Sequence, residues 1–257
     1  MTRITDISCV IIAKNAQETL GATLDSLKAF DDVVVYSNNS TDNTDAIAKS
    51  YPNVQLIQGD FIGFGPTKNA AANFAKNEWI LSLDADEVLS SEFVKQLLYP
   101  KGTSHVKLNS ANVYAITRTN FYKTTQIKHC WGDDIIVRLY NKTLTAFTDK
   151  KVHEKIMDEG FETKILEGEV LHFPYASITD FIIKLDRYST IFAQDNAGKK
   201  SSSPTKAFFN GLFSFFKTYF IKRGFLDGYA GLVIAFSHMA TNFYKYIKLY
   251  ELNRGQK

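Results

Sequence analysis

The sequence predicts an α/β protein whose mostly parallel sheet lies between helices and is followed by a helical extension. Through the first hundred residues, short β-branched or apolar runs alternate with segments of helical periodicity. Polar and acidic residues follow directly after several of these runs, at the carboxyl ends of strands, where parallel sheets bind ligands. The extension is predicted because eleven of the 20 phenylalanines follow residue 175, many of them at helical spacing.

Length and composition limit the class of protein. With 257 residues, 45% of them hydrophobic, the chain can form one large domain, or one domain with an appended segment. A net charge of +3 without a concentrated basic stripe argues against nucleic acid as a partner. The two cysteines, Cys9 and Cys130, lack the spacing of a zinc site, which favours a reducing compartment. Because the sequence shows neither a signal peptide nor an apolar run of about 20 residues, we expect a cytoplasmic protein.

Four strands and three helices are predicted in the first hundred residues. The predicted strands are 8–13, 32–36, 54–58 and 79–83, and the predicted helices are 16–30, 43–51 and 67–76. Shorter strand-like runs at 113–118, 135–140 and 169–173 predict a sheet edge with further loops. After Pro174 the pattern indicates helices again.

Two aspartates follow the fourth predicted strand. Asp84 and Asp86, separated by Ala85, can converge on one hard cation such as Mg²⁺, directly or through water. A cation held there would neutralise a diphosphate as it leaves a sugar, and Glu87 makes the segment more acidic still. The alternative is a solvated acidic turn that caps the following helix. The position after an apolar strand in an alternating β/α pattern favours the metal site.

Two further segments lie where a nucleotide and its phosphates would bind. The polar run 37–42 follows the second strand, and its short side chains can hold a base or a ribose. The alternative for this run is a turn that caps the next helix. Lys68 and Asn69 lie in the third predicted helix, where Lys68 can reach a diphosphate or can be solvated. Asn69 can hold the helix to the nucleotide-binding loop, and the spacing of a P-loop is absent.

Candidates for a general base flank the predicted strand 135–140. Transfer to a hydroxyl group needs a base that takes the hydroxyl proton, and a carboxylate within hydrogen-bond reach is sufficient. Asp134 and Glu154 are the candidates. Contacts to an acceptor or a phosphate are predicted for Trp131, Arg138 and His153, and His153 can equally be a base or a structural histidine.

The aromatic residues late in the chain share a helical face. The face contains Phe208, Leu212, Phe215, Phe216 and Tyr219, and it is flanked by Lys206, Lys217, Lys222 and Arg223. A basic, phenylalanine-rich amphipathic helix can lie in a membrane interface, and the alternative is a helix that packs this stripe on the rest of the protein. Because apolar residues cover more than one narrow stripe, we expect contact with a membrane.

Taken in order, these segments resemble the family 2 inverting glycosyltransferases, which have the GT-A fold. The resemblance rests on the segments 8–15, 33–42, 68–69 and 84–87. The second half resembles the lipopolysaccharide-core β-1,4-glucosyltransferase branch, in which an Asp precedes an Arg-Leu-aromatic triplet by four residues and a Val-His-Glu triplet follows. The matching residues here are Asp134, Arg138-Leu139-Tyr140 and Val152-His153-Glu154, and the tail segments 187–189 and 223–231 also match.

The resemblance implies a metal-dependent enzyme that uses UDP-glucose. Asp84 and Asp86 would bind Mg²⁺ or Mn²⁺ and the donor diphosphate. The implied donor contacts are Ala13, Asn15, Ser37, Asn38, Asn39, Asp42, Lys68, Asn69, Asp84, Ala85 and Asp86. The family usually has an aspartate that contacts uracil at the position of Ser37, so we expect the amide of Asn38 or Asn39 to replace it.

The resemblance also implies an acceptor and a domain plan. The acceptor would be an inner-core heptose on a lipid-anchored saccharide, and the protein would lie peripherally at the inner face of the cytoplasmic membrane. Residues 1–175 would form the GT-A catalytic domain, with a donor half at about 1–100 and an acceptor half at about 101–175, and residues 176–257 the membrane-associating extension. Two alternatives are transfer to another lipid-linked acceptor, such as polyprenyl phosphate, and a nucleotide-sugar-binding scaffold without catalysis.

Overall fold

The computed structural model describes residues 3–98, 108–132, 134–149 and 154–255. The chain forms two compact units. The first comprises Met1–Thr119 and Asp134–His172, and the second comprises Asn120–Asp133 and Phe173–Lys257. The second unit therefore includes a segment, 120–133, that the predicted boundary at residue 175 assigned to the catalytic domain.

The first unit is built on a large sheet. In chain order, the strands are β1 (Ile7–Ala13), β2 (Val33–Ser37), β3 (Val54–Gln58), β4 (Trp79–Asp84), β5 (Glu87–Leu89), β6 (Asn112–Tyr122), β7 (Thr125–Gln126), β8 (Asp134–Asn141) and β9 (Glu162–His172). The helices of this unit are α1 (Leu20–Ser26), α2 (Thr44–Lys49), α3 (Phe64–Ala72) and α4 (Ser91–Leu98). Strand β7 and the end of β6 belong to the second unit.

The strands lie in the order β3-β2-β1-β4-β8-β6-β9-β5, with β7 paired to β6. The pairs β1–β2, β1–β4 and β2–β3 are parallel. The pairs β4–β8, β6–β8 and β5–β9 are antiparallel. The parallel part, with a helix after each of its first three strands, confirms the predicted α/β sheet, and the antiparallel strands correspond to the shorter runs predicted after residue 112.

Strand β1 shows why a central strand of the parallel half can be apolar along its whole length. All seven of its residues are buried. Cys9 and Ile11 belong to the core cluster that contains Leu24 of α1, whereas Val10 belongs to the cluster that contains Ala71 of α3. Because successive side chains of a strand point to opposite faces, a strand covered on both faces is apolar at every position.

Helix α1 is shorter than predicted. The sequence predicted a helix over 16–30, and the observed helix is Leu20–Ser26. The backbone N–H of Ala16 donates to Thr44 Oγ1 at 2.7 Å, and that of Gln17 donates to Asp42 Oδ2 at 3.2 Å. These contacts hold residues 16 and 17 against the loop that follows β2, so the helix begins later.

The second unit is mainly helical, which confirms the predicted C-terminal helical extension. Its long helices are α5 (Ile178–Asn196), α6 (Pro204–Phe216) and α7 (Gly228–Gly255), and α7 packs against both others. Ser177 begins α5 with a capping box to Asp180, and the Ser203 side chain caps α6. In the described ranges, we find no helix that combines the length and apolarity required to span a bilayer.

Candidate active site

The loops that follow β1 and β2 are bonded to each other. The register pairs Ala13 with Ser37, so both strands end at the same edge of the sheet. Asn15 has a left-handed backbone conformation (φ 51°), and its Oδ1 accepts the N–H of Thr41 at 2.8 Å. The N–H of Asn38 donates to the Ala13 carbonyl at 2.8 Å. The predicted donor-binding residues of the two loops are thus brought together.

Asn38 and Asn39 differ in what their amides contact. Asn39 also has positive φ (54°), and its Nδ2 donates to Asp60 Oδ1 at 3.0 Å. The Asn38 side chain is buried, and its Oδ1 has no hydrogen-bond partner among the described residues. A buried acceptor without a partner is costly unless a ligand satisfies it. Asp60 was missed in the sequence, although its position just after β3 marks it as a candidate.

Asp42 precedes Asn43, the N-cap residue of α2, and is bonded to the first residue of that helix. Its Oδ1 accepts the backbone N–H of Thr44 at 3.0 Å and the Thr44 hydroxyl at 2.5 Å, and its Oδ2 accepts the N–H of Gln17. Burial would raise the pKa of Asp42, but these hydrogen bonds outweigh it and lower the pKa. Contact with the donor remains a prediction for this residue.

Asp84 lies at the centre of a chain of ion pairs. The Nζ of Lys68 lies 2.9 Å from Asp84 Oδ1 and 2.9 Å from Glu154 Oε1. The guanidinium of Arg138 lies 2.8 Å from Asp84 Oδ2. Lys68 and Arg138 are both almost completely buried, and each oxygen of Asp84 therefore contacts a buried cation.

Glu87 connects this chain to the predicted base. Its carboxylate is fully buried and accepts Arg138 Nη2 at 2.7 Å and the backbone N–H of Asp84 at 2.9 Å. Arg118 Nη1 lies 3.3 Å from Glu87, and Arg118 Nη2 lies 2.8 Å from Asp134 Oδ2. The sequence indicated only that Glu87 adds negative charge. The structure shows that it holds Asp84 and two arginines in place.

Neighbouring charges determine the protonation states of Asp84 and Arg138. Burial would raise the pKa of Asp84, but the positive charges of Arg138 and Lys68 outweigh it and hold the pKa well below its usual value. Burial would lower the pKa of Arg138, and the carboxylates of Asp84 and Glu87 raise it instead. Asp84 and Arg138 are therefore both charged at neutral pH.

Asp86 lies close to a histidine that the sequence did not single out. The Nε2 of His172 lies 3.7 Å from Asp86 Oδ1. Burial lowers the pKa of His172 even though Asp86 opposes the shift. No group of three or more His, Cys, Asp or Glu side chains suited to a metal occurs among the described residues. The carboxylate of Asp86 suits an ion that takes its remaining ligands from water and substrate phosphates, and the neighbouring imidazole can add a nitrogen ligand.

Asn69 has a different partner from the one expected. Its Nδ2 donates to the Phe147 carbonyl, and its Oδ1 accepts the Phe147 N–H, both at 2.9 Å. The side chain of Asn69 therefore ties α3 to the backbone of Phe147, and not to the nucleotide-binding loop as expected. The Ala85 carbonyl accepts the hydroxyl of Thr23 at 3.1 Å, and its contact with the sugar-nucleotide remains a prediction.

The two candidate bases differ in exposure. The Asp134 side chain is 44% exposed and is held by Arg118. The Glu154 side chain is only 15% exposed and is paired with the buried Lys68. A general base has to reach the acceptor hydroxyl, so the geometry favours Asp134.

Two further contacts were predicted, at His153 and Trp131. His153 lies outside the described residues. Trp131 belongs to the second unit, where it stacks on Tyr175 at a ring-centroid distance of 5.7 Å and its Nε1 donates to His238 Nε2 at 3.4 Å. Burial lowers the pKa of His238 to about 4, so its imidazole is neutral and can accept this bond.

The mostly parallel sheet, with Asp84 and Asp86 at the end of β4, is the arrangement that the resemblance to GT-A glycosyltransferases predicts. The chain belongs to glycosyl transferase family 2, because the model of that family matches residues 8–164. This membership confirms the resemblance noted in the sequence.

Relatives support the family assignment along the whole chain. An uncharacterized glycosyltransferase of Rickettsia prowazekii is 31% identical over 259 residues, covering 96% of this chain and 87% of the relative. The lipopolysaccharide core biosynthesis glycosyltransferase LpsC of Rhizobium meliloti is 26% identical, covering 90% of this chain and 89% of LpsC. Among solved structures, S. aureus TarS 1–349 in complex with UDP has a TM-score of 0.42 at 15% identity, covering 98% of this chain and 92% of TarS. A similarity at that level carries no weight for function.

Proposed function

We propose that this protein is an inverting glycosyltransferase that moves a hexose, with glucose as the first candidate, from a UDP-sugar to the inner core of a lipopolysaccharide or lipooligosaccharide. The observation that carries the proposal is the chain of ion pairs that links Asp84, through Arg138, Glu87 and Arg118, to Asp134. It fixes the carboxylate of Asp134 relative to Asp84, the last residue of β4. Similarity to LpsC supports the class of acceptor.

In the proposed reaction, an acceptor hydroxyl oxygen attacks the anomeric carbon while the bond from that carbon to the UDP oxygen breaks, which inverts the configuration. Asp134 takes the hydroxyl proton. Arg118 holds its Oδ2 at 2.8 Å, and we assign Oδ1 as the proton acceptor. Lys68 and Arg138 are paired with carboxylates and hold Asp84 in a fixed position at the end of β4.

Asn38 is the residue proposed to contact the base of the donor nucleotide. The N3–H group of uracil is a hydrogen-bond donor, and the buried Oδ1 of Asn38 is an acceptor without a partner among the described residues. Because Ser37 is fully buried and its hydroxyl lies 3.0 Å from Ser40 Oγ, Asn38 is better placed to replace the aspartate usual at position 37.

Asn38→Ala is expected to weaken UDP binding about fivefold, the effect of one lost hydrogen bond. Titration calorimetry with UDP and with GDP would measure it. If Asn38 reads the base, the loss is confined to UDP. An equal loss for both nucleotides, or none for UDP, would refute this role.

The proposed cofactor is Mg²⁺ or Mn²⁺. Asp86 and His172 would hold it, with Asp84 contributing through water, since both Asp84 oxygens contact cations. The ion supplies Lewis-acid stabilisation to the diphosphate.

Asp86→Asn is expected to lower turnover about 100-fold at limiting Mn²⁺. His172→Ala is expected to raise the Mn²⁺ concentration needed for half-maximal turnover about tenfold. Calorimetric titration of Mn²⁺ in the presence of UDP should show the same loss of affinity. Asp158→Asn, which changes another part-exposed carboxylate of the first unit, serves as control and should bind Mn²⁺ normally. Unchanged Mn²⁺ binding by Asp86→Asn would exclude Asp86 as a ligand.

The test of the overall proposal is release of UDP. A screen of UDP-, GDP- and dTDP-sugars with Mn²⁺ should raise the melting temperature only for the correct donor, and adding an inner-core saccharide should then release UDP. A scaffold without catalysis would bind the donor and release none. The acceptor's lipid anchor implies peripheral attachment at the inner face of the cytoplasmic membrane, which is part of the proposal.

A further inference from the structure

The second half of the helical unit has an excess of positive charge. Residues 197–250 contain eight Lys or Arg residues and one acidic residue, Asp227, although the whole chain has a net charge of only +3. Asp227 is buried, so the exposed formal charges of this segment are all positive.

Helix α6 packs through its small residues and exposes its large ones. Ala207 is fully buried, and a Cβ added to Gly211 would lie 3.0 Å from the Met239 carbonyl of α7. The large apolar residues on the outer face are 45% to 60% exposed, and they are Phe208, Phe209, Leu212, Phe213 and Phe216. An exposed apolar face of this size indicates an interaction surface.

The same surface continues into the segment 217–229, here named the turn, which contains a π-helix (Lys217–Ile221), a 3-10 helix (Gly224–Asp227) and the first two residues of α7. Its large apolar residues are 47% to 69% exposed, and they are Phe220, Ile221, Phe225, Leu226 and Tyr229. Lys222 and Arg223 are exposed in the middle of this turn. The turn thus presents apolar rings and two cations together.

The turn is held rigidly. The Asp227 carboxylate accepts the backbone N–H groups of Lys128, His129 and Cys130 at 2.8 to 3.2 Å, and His129 Nδ1 lies 2.8 Å from it. A Cβ added to Gly231 would lie 1.8 Å from the Gly224 carbonyl oxygen, so these backbones touch. The exposed residues of the turn therefore have a fixed arrangement, and Asp227 ties the turn to the segment that precedes Trp131.

We propose that the exposed faces of α6 and of the turn 217–229 form one docking surface for an anionic phospholipid membrane. Aromatic and aliphatic side chains enter the boundary between headgroups and acyl chains, while Lys222 and Arg223 contact lipid phosphates. This inference rests on the proposed attachment to a membrane, and it adds the surface that binds and the class of lipid that is bound. Through Asp227, docking would also set the position of Trp131 relative to the membrane.

Flotation with vesicles tests the surface without donor or acceptor. The wild type is expected to float with vesicles of phosphatidylcholine and phosphatidylglycerol, and far less with phosphatidylcholine alone. Lys222→Gln with Arg223→Gln is expected to lower the partition coefficient on anionic vesicles about 30-fold. Phe225→Ser with Leu226→Ser is expected to lower it at least about tenfold.

The matched control is Ile182→Ser with Ile183→Ser. These isoleucines lie on α5 and are both 61% exposed, but they lie outside the proposed surface. The control should float as the wild type does. If it loses as much binding as the turn variants, or if the turn variants float normally, the proposal is wrong.

Hydrogen exchange of the unmodified protein gives an answer that does not depend on how well the variants fold. Anionic vesicles should slow exchange in 217–229 and at Lys128, His129 and Cys130, and should leave α5 unchanged. Exchange unchanged in the turn would overturn the proposal. Release of UDP by the same variants on a soluble acceptor reports the proposed reaction separately, so either proposal can fail alone.

Discussion

Asp134→Asn is expected to lower kcat about a thousandfold while leaving donor affinity unchanged. The amide keeps the shape of the side chain and can still contact Arg118, but it cannot take a proton. General base catalysis typically contributes about 10²- to 10⁴-fold. Rapid-quench or coupled measurement of UDP release, together with calorimetric titration of UDP, separates kcat from donor binding.

Two variants serve as comparisons for this prediction. Asp158→Asn changes a carboxylate of similar exposure that is paired with Lys155, and it should retain full turnover. Glu154→Gln removes one partner of the buried Lys68 but leaves Asp84 at 2.9 Å, so we expect a lower melting temperature and less than about a tenfold change in kcat. If Glu154→Gln abolishes turnover and Asp134→Asn does not, the assignment of the base is reversed.

The same experiment distinguishes the two classes of acceptor. A phosphate acceptor such as polyprenyl phosphate is already ionised and needs no base. Turnover that survives changes at both Asp134 and Glu154 would therefore favour the phosphate acceptor over a sugar hydroxyl.

The fold was predictable because the hydrophobic pattern of each strand in the parallel half can be recognised from its own segment of the sequence. Strand β1 is buried along its whole length, and the corresponding apolar run is plain in the sequence. The position of Asp84 and Asp86 at the end of a parallel strand was predictable for the same reason, since they follow such a run directly. The shortening of α1 was not, because it depends on contacts with Asp42 and Thr44 that are distant in sequence.

The partners of the site residues could not be predicted. Glu87, Arg118 and Arg138 lie on three different strands, and their contact results from the order β4-β8-β6 and from the pairing of β5 with β9. His172 comes near Asp86 because it pairs with Glu87 across β5 and β9. Periodicity along one segment carries no information about which strands become neighbours.

Glu87→Leu is expected to destabilise the first unit by about 3 to 5 kcal/mol, because removing one member of a buried ion-pair network leaves the other charges without compensation. Arg138 is buried and would keep only Asp84, and Arg118 would keep only Asp134. For a chain of this size, the melting temperature should fall by about 10 °C. Asp25→Asn, which breaks the exposed pair with Lys28, is the control and should leave the melting temperature unchanged.

The pH dependence of stability tests whether the network acts through charge. The folded-state pKa of Asp84 is lowered, so its contribution to stability is complete above the unfolded value of 3.8 and is lost only as the pH falls through the folded value. The difference in unfolding free energy between wild type and Asp84→Asn should therefore stay constant from about pH 8 to about pH 5 and shrink only in stronger acid. A difference that persists unchanged in strong acid would show that Asp84 stabilises the protein through packing rather than through charge.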